Sequence, residues 1–382
     1  MRPTSEAREI SVRPSRRRFM AEVGAAAGGT AIASPALANA TPDIHWTLTS
    51  AFNQSLDIMF GAAETFAQTV SDLTDGHFTI SPSGPDRIAS PVDALTAVAD
   101  GKADCAHTAL SYSWNTNPAY IFGTGAPFGM NARQHAAWLR EGGGSALIDE
   151  LLADRNLIAM PMGDTGAQMA GWFRKEVHSV ADFAGMKVRI GGFAGKVLEV
   201  LGATPVILPK KQILDALRSG LLDAFEWAGP YDDAKFDGDA AEAISKVAPY
   251  YYYPGWWKGE MQLHLVLNKD KFFALSKTYQ TALRAAASMA DESVGAKYDA
   301  FNPAGLKRLV IGGAQLRLFP QEVLVACYKT SNDLYAQLGL ENRRFKKVSD
   351  SYMSFRSEEY LWWQVAEYSF DNFMIRERRA KG

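Results

Sequence analysis

Lys187-Val188-Arg189-Ile190-Gly191-Gly192-Phe193-Ala194-Gly195 opens, and Asp223-Ala224-Phe225-Glu226-Trp227-Ala228-Gly229-Pro230 closes, the most legible stretch of the chain. Lys187 to Ile190 reads as a strand, and Val197, Leu198, Val200 and Leu201 belong to the helix after it. Pro205-Val206-Ile207-Leu208-Pro209 is a strand held between prolines. Ile213, Leu214 and Leu217 face one way on the next helix, and Leu222 to Glu226 forms a third strand. Strands alternating with short helices predict a parallel sheet with covering helices.

The same alternation extends outward. Ile44 to Ser50 has the β-rich composition of a first strand. Ala62, Phe66, Val70 and Leu73 recur at helical spacing, and Gly76 stands where a C-terminal cap belongs. A weak internal echo joins Ala94-Leu95 with Gly101-Lys102-Ala103-Asp104 to Ala216-Leu217 with Gly220-Leu221-Leu222-Asp223. In both places a helix ends at glycine and a strand starts just after an aspartate. Gln262 to Asn268 gives an alternating strand, and the remainder is mostly helical, with an aromatic-rich tail from Glu358 to about Arg376.

Composition bounds the function. The chain has 382 residues, enough for two ordinary domains, with 47% hydrophobic and 21% charged residues, as a globular protein has. A formal net charge of −2 provides no basic field for gripping nucleic acid. Two cysteines, Cys105 and Cys327, make neither a zinc ribbon nor a disulfide scaffold. They could pair in an oxidising compartment, whereas folding before export would leave them as buried thiols.

The first forty residues read as an address. Arg2, Arg8 and Arg13 precede Ser15-Arg16-Arg17-Arg18-Phe19-Met20, a weakly apolar Ala/Gly segment follows, and Ala36-Leu37-Ala38-Asn39-Ala40 offers a small-residue cleavage site. The Ser-Arg-Arg-x-Phe core resembles a twin-arginine signal, which predicts periplasmic export of the folded protein. Its removal would leave a net charge of about −5 by the same counting.

Catalytic signals are sparse. The six histidines show no H-E-x-x-H or H-x-H spacing, and there is no G-x-S-x-G elbow. Gly191-Gly192-Phe193-Ala194-Gly195 lacks the G-x-G-x-x-G spacing of a dinucleotide turn. Arg189 ends an inner strand, where its fork needs an anion: either a ligand carboxylate or a protein carboxylate. Glu226 closes an apolar run just before a Gly-Pro turn, at the sheet edge where ligands of open α/β sheets bind. It reads as a cation ligand or as a capping or surface acid. Gln168, within Thr165-Gly166-Ala167-Gln168-Met169-Ala170-Gly171-Trp172-Phe173-Arg174-Lys175, brings both a donor and an acceptor among small and aromatic neighbours. Trp256-Trp257, after Pro254-Gly255, could wall a small pocket.

With these strings in view, the chain resembles a known family. Lys187-Val188-Arg189-Ile190, Leu201-Gly202-Ala203-Thr204-Pro205-Val206, Leu208-Pro209 and Ala216-Leu217-x-x-Gly220 with Asp223-Ala224-x-Glu226 look like the periplasmic solute receptors of tripartite ATP-independent (TRAP) transporters. The strings from Thr165 to Lys175 and from Glu226 to Asp233 are most similar to the branch that binds 2-oxo acids or lactate. The resemblance implies an α/β, two-lobed periplasmic binding protein, a clamshell with crossing segments and a long helical C-terminal part. After the twin-arginine leader at 1–40, it implies lobe 1 mainly at 41–160 and lobe 2 mainly at 161–265. Crossing segments and helices completing both lobes would fill 266–356, with a C-terminal helix and tail at 357–382.

Carried over by position, Arg189 matches the family's carboxylate-binding arginine. Gln168 and Glu226 match side-chain ligands of a bound sodium or calcium ion, and Trp227 a ligand through its carbonyl. Tyr112, Asn115, Phe193, Tyr231 and Gln262 are expected around the ligand and would set its size. The implied function is a receptor, not an enzyme, that binds a small monocarboxylate such as pyruvate or lactate for the membrane components of a TRAP transporter. Homodimer formation through the C-terminal helix is compatible with the tail. The alternatives are a secreted metal-assisted enzyme acting on oxo acids and a ligand receptor for a sensor protein.

Overall fold

A computed structural model describes residues 43–85, 93–236 and 244–380. The leader read at 1–40 lies outside the described residues. Among those described, no helix is long and apolar enough to cross a membrane.

The chain starts with strand β1 (Ile44–Ser50), which buries Trp46 and Leu48, and helix α1 (Asp57–Leu73). The buried stripe Ile58, Ala62, Phe66 and Val70 confirms the helical period, and each large apolar side chain so covered contributes about 1.5–3 kcal/mol. At the end of α1, Gly76 has φ +81° and its N–H reaches back 2.9 Å to the Ser71 carbonyl, the cap the sequence predicts. Strand β2 (Phe78–Ser83), helix α2 (Ala94–Ala99) and strand β3 (Cys105–Thr108) follow, then α3 (Ala132–Arg140), α4 (Gly144–Leu152) and β4 (Leu157–Asp164).

The predicted strand–helix repeat becomes β6 (Lys187–Arg189), α5 (Gly192–Val200), β7 (Thr204–Val206), α6 (Lys210–Ser219) and β8 (Ala224–Phe225), preceded by β5 (Gly171–Phe173). After α7 (Pro230–Asp233) come β9 (Tyr250–Tyr253), β10 (Gln262–Asn268), α8 (Lys269–Ala274) and the 35-residue α9 (Lys277–Ile311). Strand β11 (Gln315–Leu318) and helices α10 (Gln321–Glu341), α11 (Arg343–Trp363) and α12 (Ser369–Ala380) complete the chain.

Two sheets result, ordered β2-β1-β3-β10-β4 and β11-β9-β5-β8-β6-β7. β6 lies parallel to both β7 and β8, as the alternating pattern predicts. The sheets as wholes are mixed. β10 runs antiparallel to β3 and β4, and β5 antiparallel to β8 and β9. The reason is that the chain changes sheets three times. It crosses between β4 and β5 at 165–170, returns between β9 and β10 at 254–261, and crosses again through α9, which packs on α1 and β4 at one end and near α7 at the other.

The first two crossings lie against each other. Ala170 N–H donates to the Tyr252 carbonyl at 2.8 Å, and Met261 N–H donates to Thr165 Oγ1 at 3.1 Å. Gly255 is required there, because a Cβ would lie 2.4 Å from the Gln168 carbonyl oxygen. The hairpin of α10 and α11 covers one core that draws on both sheets, joining Val266 and Val188 to Tyr335, Phe345 and Tyr352. Cys105 and Cys327 are free, buried thiols.

Candidate functional site

The register of β6 against β8 sets Arg189 opposite Phe225, and the Glu226 N–H donates to the Arg189 carbonyl at 3.1 Å. Two residues from opposite ends of the most legible stretch thereby become neighbours. Arg189 Nη1 donates to the Glu226 carbonyl oxygen at 2.8 Å and stands 3.5 Å from Glu226 Oε2. The guanidinium lies 5.2 Å from the centroid of the Trp227 ring. Nη2 has no hydrogen-bond partner among the described residues, and the side chain keeps 25% of its surface exposed.

Both sequence readings of Arg189 are therefore met in part. It touches a protein acid, at a distance longer than a close charged pair, and it leaves half of its fork open.

Glu226 is buried, and its carboxylate accepts no hydrogen bond among the described residues. It is held instead between two cations: Arg189 beside Oε2, and Lys258 Nζ 3.5 Å from Oε1. Lys210 Nζ adds a third positive group, 5.7 Å from the Trp227 ring. At the Glu226 carboxylate two cations, Arg189 and Lys258, face a single acid, a field that favours a small anion. Tyr112, from the 3₁₀ turn Leu110–Ser113 after β3, feels the same charges. Burial pushes its hydroxyl up to about 12, the Glu226 carboxylate adds to the rise, and Arg189 opposes it.

Gln168 comes from the first crossing. Its Nε2 donates to Thr165 Oγ1 at 3.2 Å and approaches Met261 Sδ at 3.6 Å, while its buried Oε1 has no partner. Lys258 Nζ is 3.8 Å from the same sulfur, so Gln168 and Glu226 have Lys258 and Met261 between them. Among the described residues no three His, Cys, Asp or Glu side chains are grouped to hold a metal. A cation here would need amide and carbonyl oxygens beside a single carboxylate. An orphaned buried amide oxygen and a carboxylate without hydrogen bonds fit that requirement, and such hard donors suit sodium or calcium.

The remaining expected residues are placed elsewhere or otherwise engaged. Asn115 is exposed. Phe193 is buried and stacked on Tyr335 at 4.6 Å. The Tyr231 hydroxyl donates to Asp57 Oδ2 at 2.8 Å, and its ring stacks on Phe301. Gln262 gives its amide to the Gly163 carbonyl and to Asp291 Oδ1, at 2.8 and 2.7 Å. Trp256 and Trp257 are buried beside the second crossing, Trp256 stacked on Phe128. Lys258 was missed in the sequence. Its signal was a lone charge following Pro254-Gly255-Trp256-Trp257 in a connecting segment.

His107, His135 and His264 are buried, and burial lowers them to about 3, 4 and 3.

The family model for bacterial extracellular solute-binding proteins, family 7 (DctP), matches residues 49–342. The chain belongs to this family. It is a TRAP solute receptor with the two-lobed fold of that group. A monocarboxylate 2-oxoacid-binding periplasmic protein of Nostoc sp. is 39% identical over 332 residues, covering 87% of the receptor and 89% of that protein. Among solved structures, a TRAP solute-binding protein from Bordetella bronchiseptica is 38% identical with a TM-score of 0.84. The match covers 89% of the receptor and 100% of that chain, a mixed-occupancy dimer with copurified calcium and picolinate in one site and the other site apo. A TRAP protein from Pseudoalteromonas atlantica, with bound sodium and pyruvate, is 30% identical with a TM-score of 0.81, over 86% and 99% of the two chains.

Proposed function

We propose that the receptor captures a small 2-oxo monocarboxylate of about pyruvate's size in the periplasm and presents it to the membrane components of a TRAP transporter. Arg189 grips the ligand carboxylate with the open half of its fork. Gln168, Glu226 and the Trp227 carbonyl hold a sodium or calcium ion, whose role is to offer a second electrophilic contact to the ligand's oxygens. Tyr112 closes the site from the first lobe. Water leaves as the lobes meet, which strengthens both charged contacts.

The observation that carries this reading is the pair formed by Arg189 and Glu226. One side chain has an unpartnered nitrogen and the other a carboxylate without hydrogen bonds, at adjacent positions of one sheet edge. The relatives that bind pyruvate or a 2-oxo acid add support from outside the chain.

The ligand is bound and released unchanged, without turnover. The leader at 1–40 directs twin-arginine export. The tail pairs two copies, because α12 and the π turn before it expose Val365, Tyr368, Phe370, Phe373, Met374 and Ile375, an unusual apolar load for a solvated helix. Calorimetry of the mature chain with pyruvate, with and without calcium, tests the central assignment. Saturable binding that tightens with calcium is expected, and no binding under either condition refutes it.

A further inference from the structure

Lys258 occupies an unusual place for a lysine. It lies on the second crossing, between β9 of one sheet and β10 of the other, with only 20% of its side chain exposed. Its ammonium stands 3.5 Å from Glu226 Oε1 and 3.8 Å from the Met261 thioether, and its charge also reaches the buried Glu260 carboxylate. A thioether is a weak acceptor, and 3.5 Å is long for a charged contact. The ammonium is therefore inside the group of side chains that would hold the cation, yet weakly fixed there. Gln168, the other side-chain ligand in that reading, reaches the same sulfur with its amide at 3.6 Å.

We propose that Lys258 is a resident counter-ion for Glu226, standing where an inorganic cation would stand, so that sodium or calcium must displace it to bind. This rests on the reading of Gln168 and Glu226 as cation ligands. Two positive groups cannot share Oε1 at contact distance without strong repulsion, so occupation by one excludes the other. The flexible four-carbon stem of lysine lets the ammonium leave along the crossing without moving the backbone. Lys258 thereby sets the cation affinity of the receptor and keeps Glu226 neutralised when no cation is present.

The test uses the mature chain, freed of metal with chelator and kept in potassium buffer, in wild-type, Lys258→Met and Lys258→Arg forms. Each is titrated with calcium chloride and, separately, with potassium pyruvate in the presence of calcium. Lys258→Met, which keeps the apolar stem, is expected to bind calcium about tenfold tighter than wild type, within the usual span of coupling between sites. Lys258→Arg, which keeps the charge, is expected to stay within about threefold of wild type, below that span. Equal calcium affinity in all three forms, with pyruvate still bound, overturns the role of Lys258 and leaves the receptor reading standing. Failure of wild type to bind pyruvate with calcium overturns the receptor reading and this inference with it. A thermal melt confirms that each variant is folded before titration.

Discussion

Replacing Arg189 by alanine separates two interactions that the site combines. The guanidinium donates at 2.8 Å to the Glu226 carbonyl and stands 3.5 Å from Glu226 Oε2, so its loss affects both the ligand and the cation ligands. A charged, partly buried contact to a ligand carboxylate is worth about 2–5 kcal/mol when one partner is truncated. Pyruvate affinity should therefore fall by about thirty-fold to several thousand-fold, since each 1.4 kcal/mol is a factor of ten. Calcium should respond in the opposite direction, because removing a positive charge beside Oε2 leaves Glu226 more attractive to a cation. Arg189 also gives up its contacts to the Glu226 and Leu208 carbonyls, worth about 1 kcal/mol each, so a thermal melt accompanies the titrations. Paired calorimetric titrations read both effects on one sample. A folded Arg189→Ala that binds pyruvate as wild type does would refute the assignment of the arginine. Parallel weakening of calcium and pyruvate would refute the view that Arg189 competes for the charge of Glu226.

Gly255→Ala brings a Cβ to within 2.4 Å of the Gln168 carbonyl, backbone against backbone, and is expected to destabilise by about 1–3 kcal/mol while weakening calcium binding; an unchanged melting temperature would contradict the close packing of the two crossings. Asp233 is lifted to about 7 by burial, against the lowering effect of hydrogen bonds from Trp172 Nε1 and the Tyr251 hydroxyl. An acid whose pKa is raised on folding holds its proton more tightly in the native state. Its contribution is complete below about pH 4 and is lost, by about 4 kcal/mol, as pH rises toward 7. The buried histidines, lowered on folding, act in the opposite sense below pH 6.5, so the comparison is with Asp233→Asn. Urea unfolding at pH 5 and pH 8 should show wild type losing stability relative to the variant as pH rises, and an unchanged difference between the two would sink the claim. Deleting 364–382 is expected to convert a dimer to a monomer in light scattering while pyruvate binding persists; a monomeric full-length chain would remove the role given to the tail.

What the sequence makes legible is what is local. The repeat from Lys187 to Glu226 alternates apolar strands with short amphipathic helices, so β6, β7 and β8 are read in order and in their parallel sense. Arg189 and Glu226 stand out because each is a charge at the end of an apolar run, and adjacent parallel strands bring such ends together. The strands are shorter than their apolar runs. β8 is only Ala224–Phe225, because Glu226 turns its carbonyl to Arg189 and the Gly-Pro turn follows. The mixed character of both sheets is illegible for a different reason. β5 pairs with β9 and β10 with β3, partners distant in the chain, and no local period records such pairing. Lys258 is hidden in the same way, since it lies in a connection without periodicity and meets Glu226 only after two crossings are formed. Phe193, beside its glycines, looks open to a ligand until Tyr335 of α10 arrives from the far end of the sequence to stack on it.

The placement of the site on both a rigid edge and two crossings has a mechanical consequence. Arg189 ends β6 and Glu226 and Trp227 follow β8 of one sheet, Tyr112 follows β3 of the other, and Gln168 and Lys258 lie on the segments that join them. A ligand that touches Arg189 and Tyr112 together gains contacts only when the lobes are close, which is the differential binding that shifts a population. One exposed bridge across the gap is Asp57 of α1, which takes the Tyr231 hydroxyl and the Lys235 ammonium. That ion pair is about half exposed and so worth roughly 0–1 kcal/mol. Breaking that bridge costs little, whereas driving the equilibrium from one part in a hundred closed to one part in a hundred open needs about 5.5 kcal/mol. On the proposed assignment, charged contacts from Arg189 and from the oxygens of Gln168 and Glu226, made in a site that water leaves, would be of that order together and not singly. Closure should then demand the anion and a positive charge at Glu226 at once, and neither alone should hold the lobes shut.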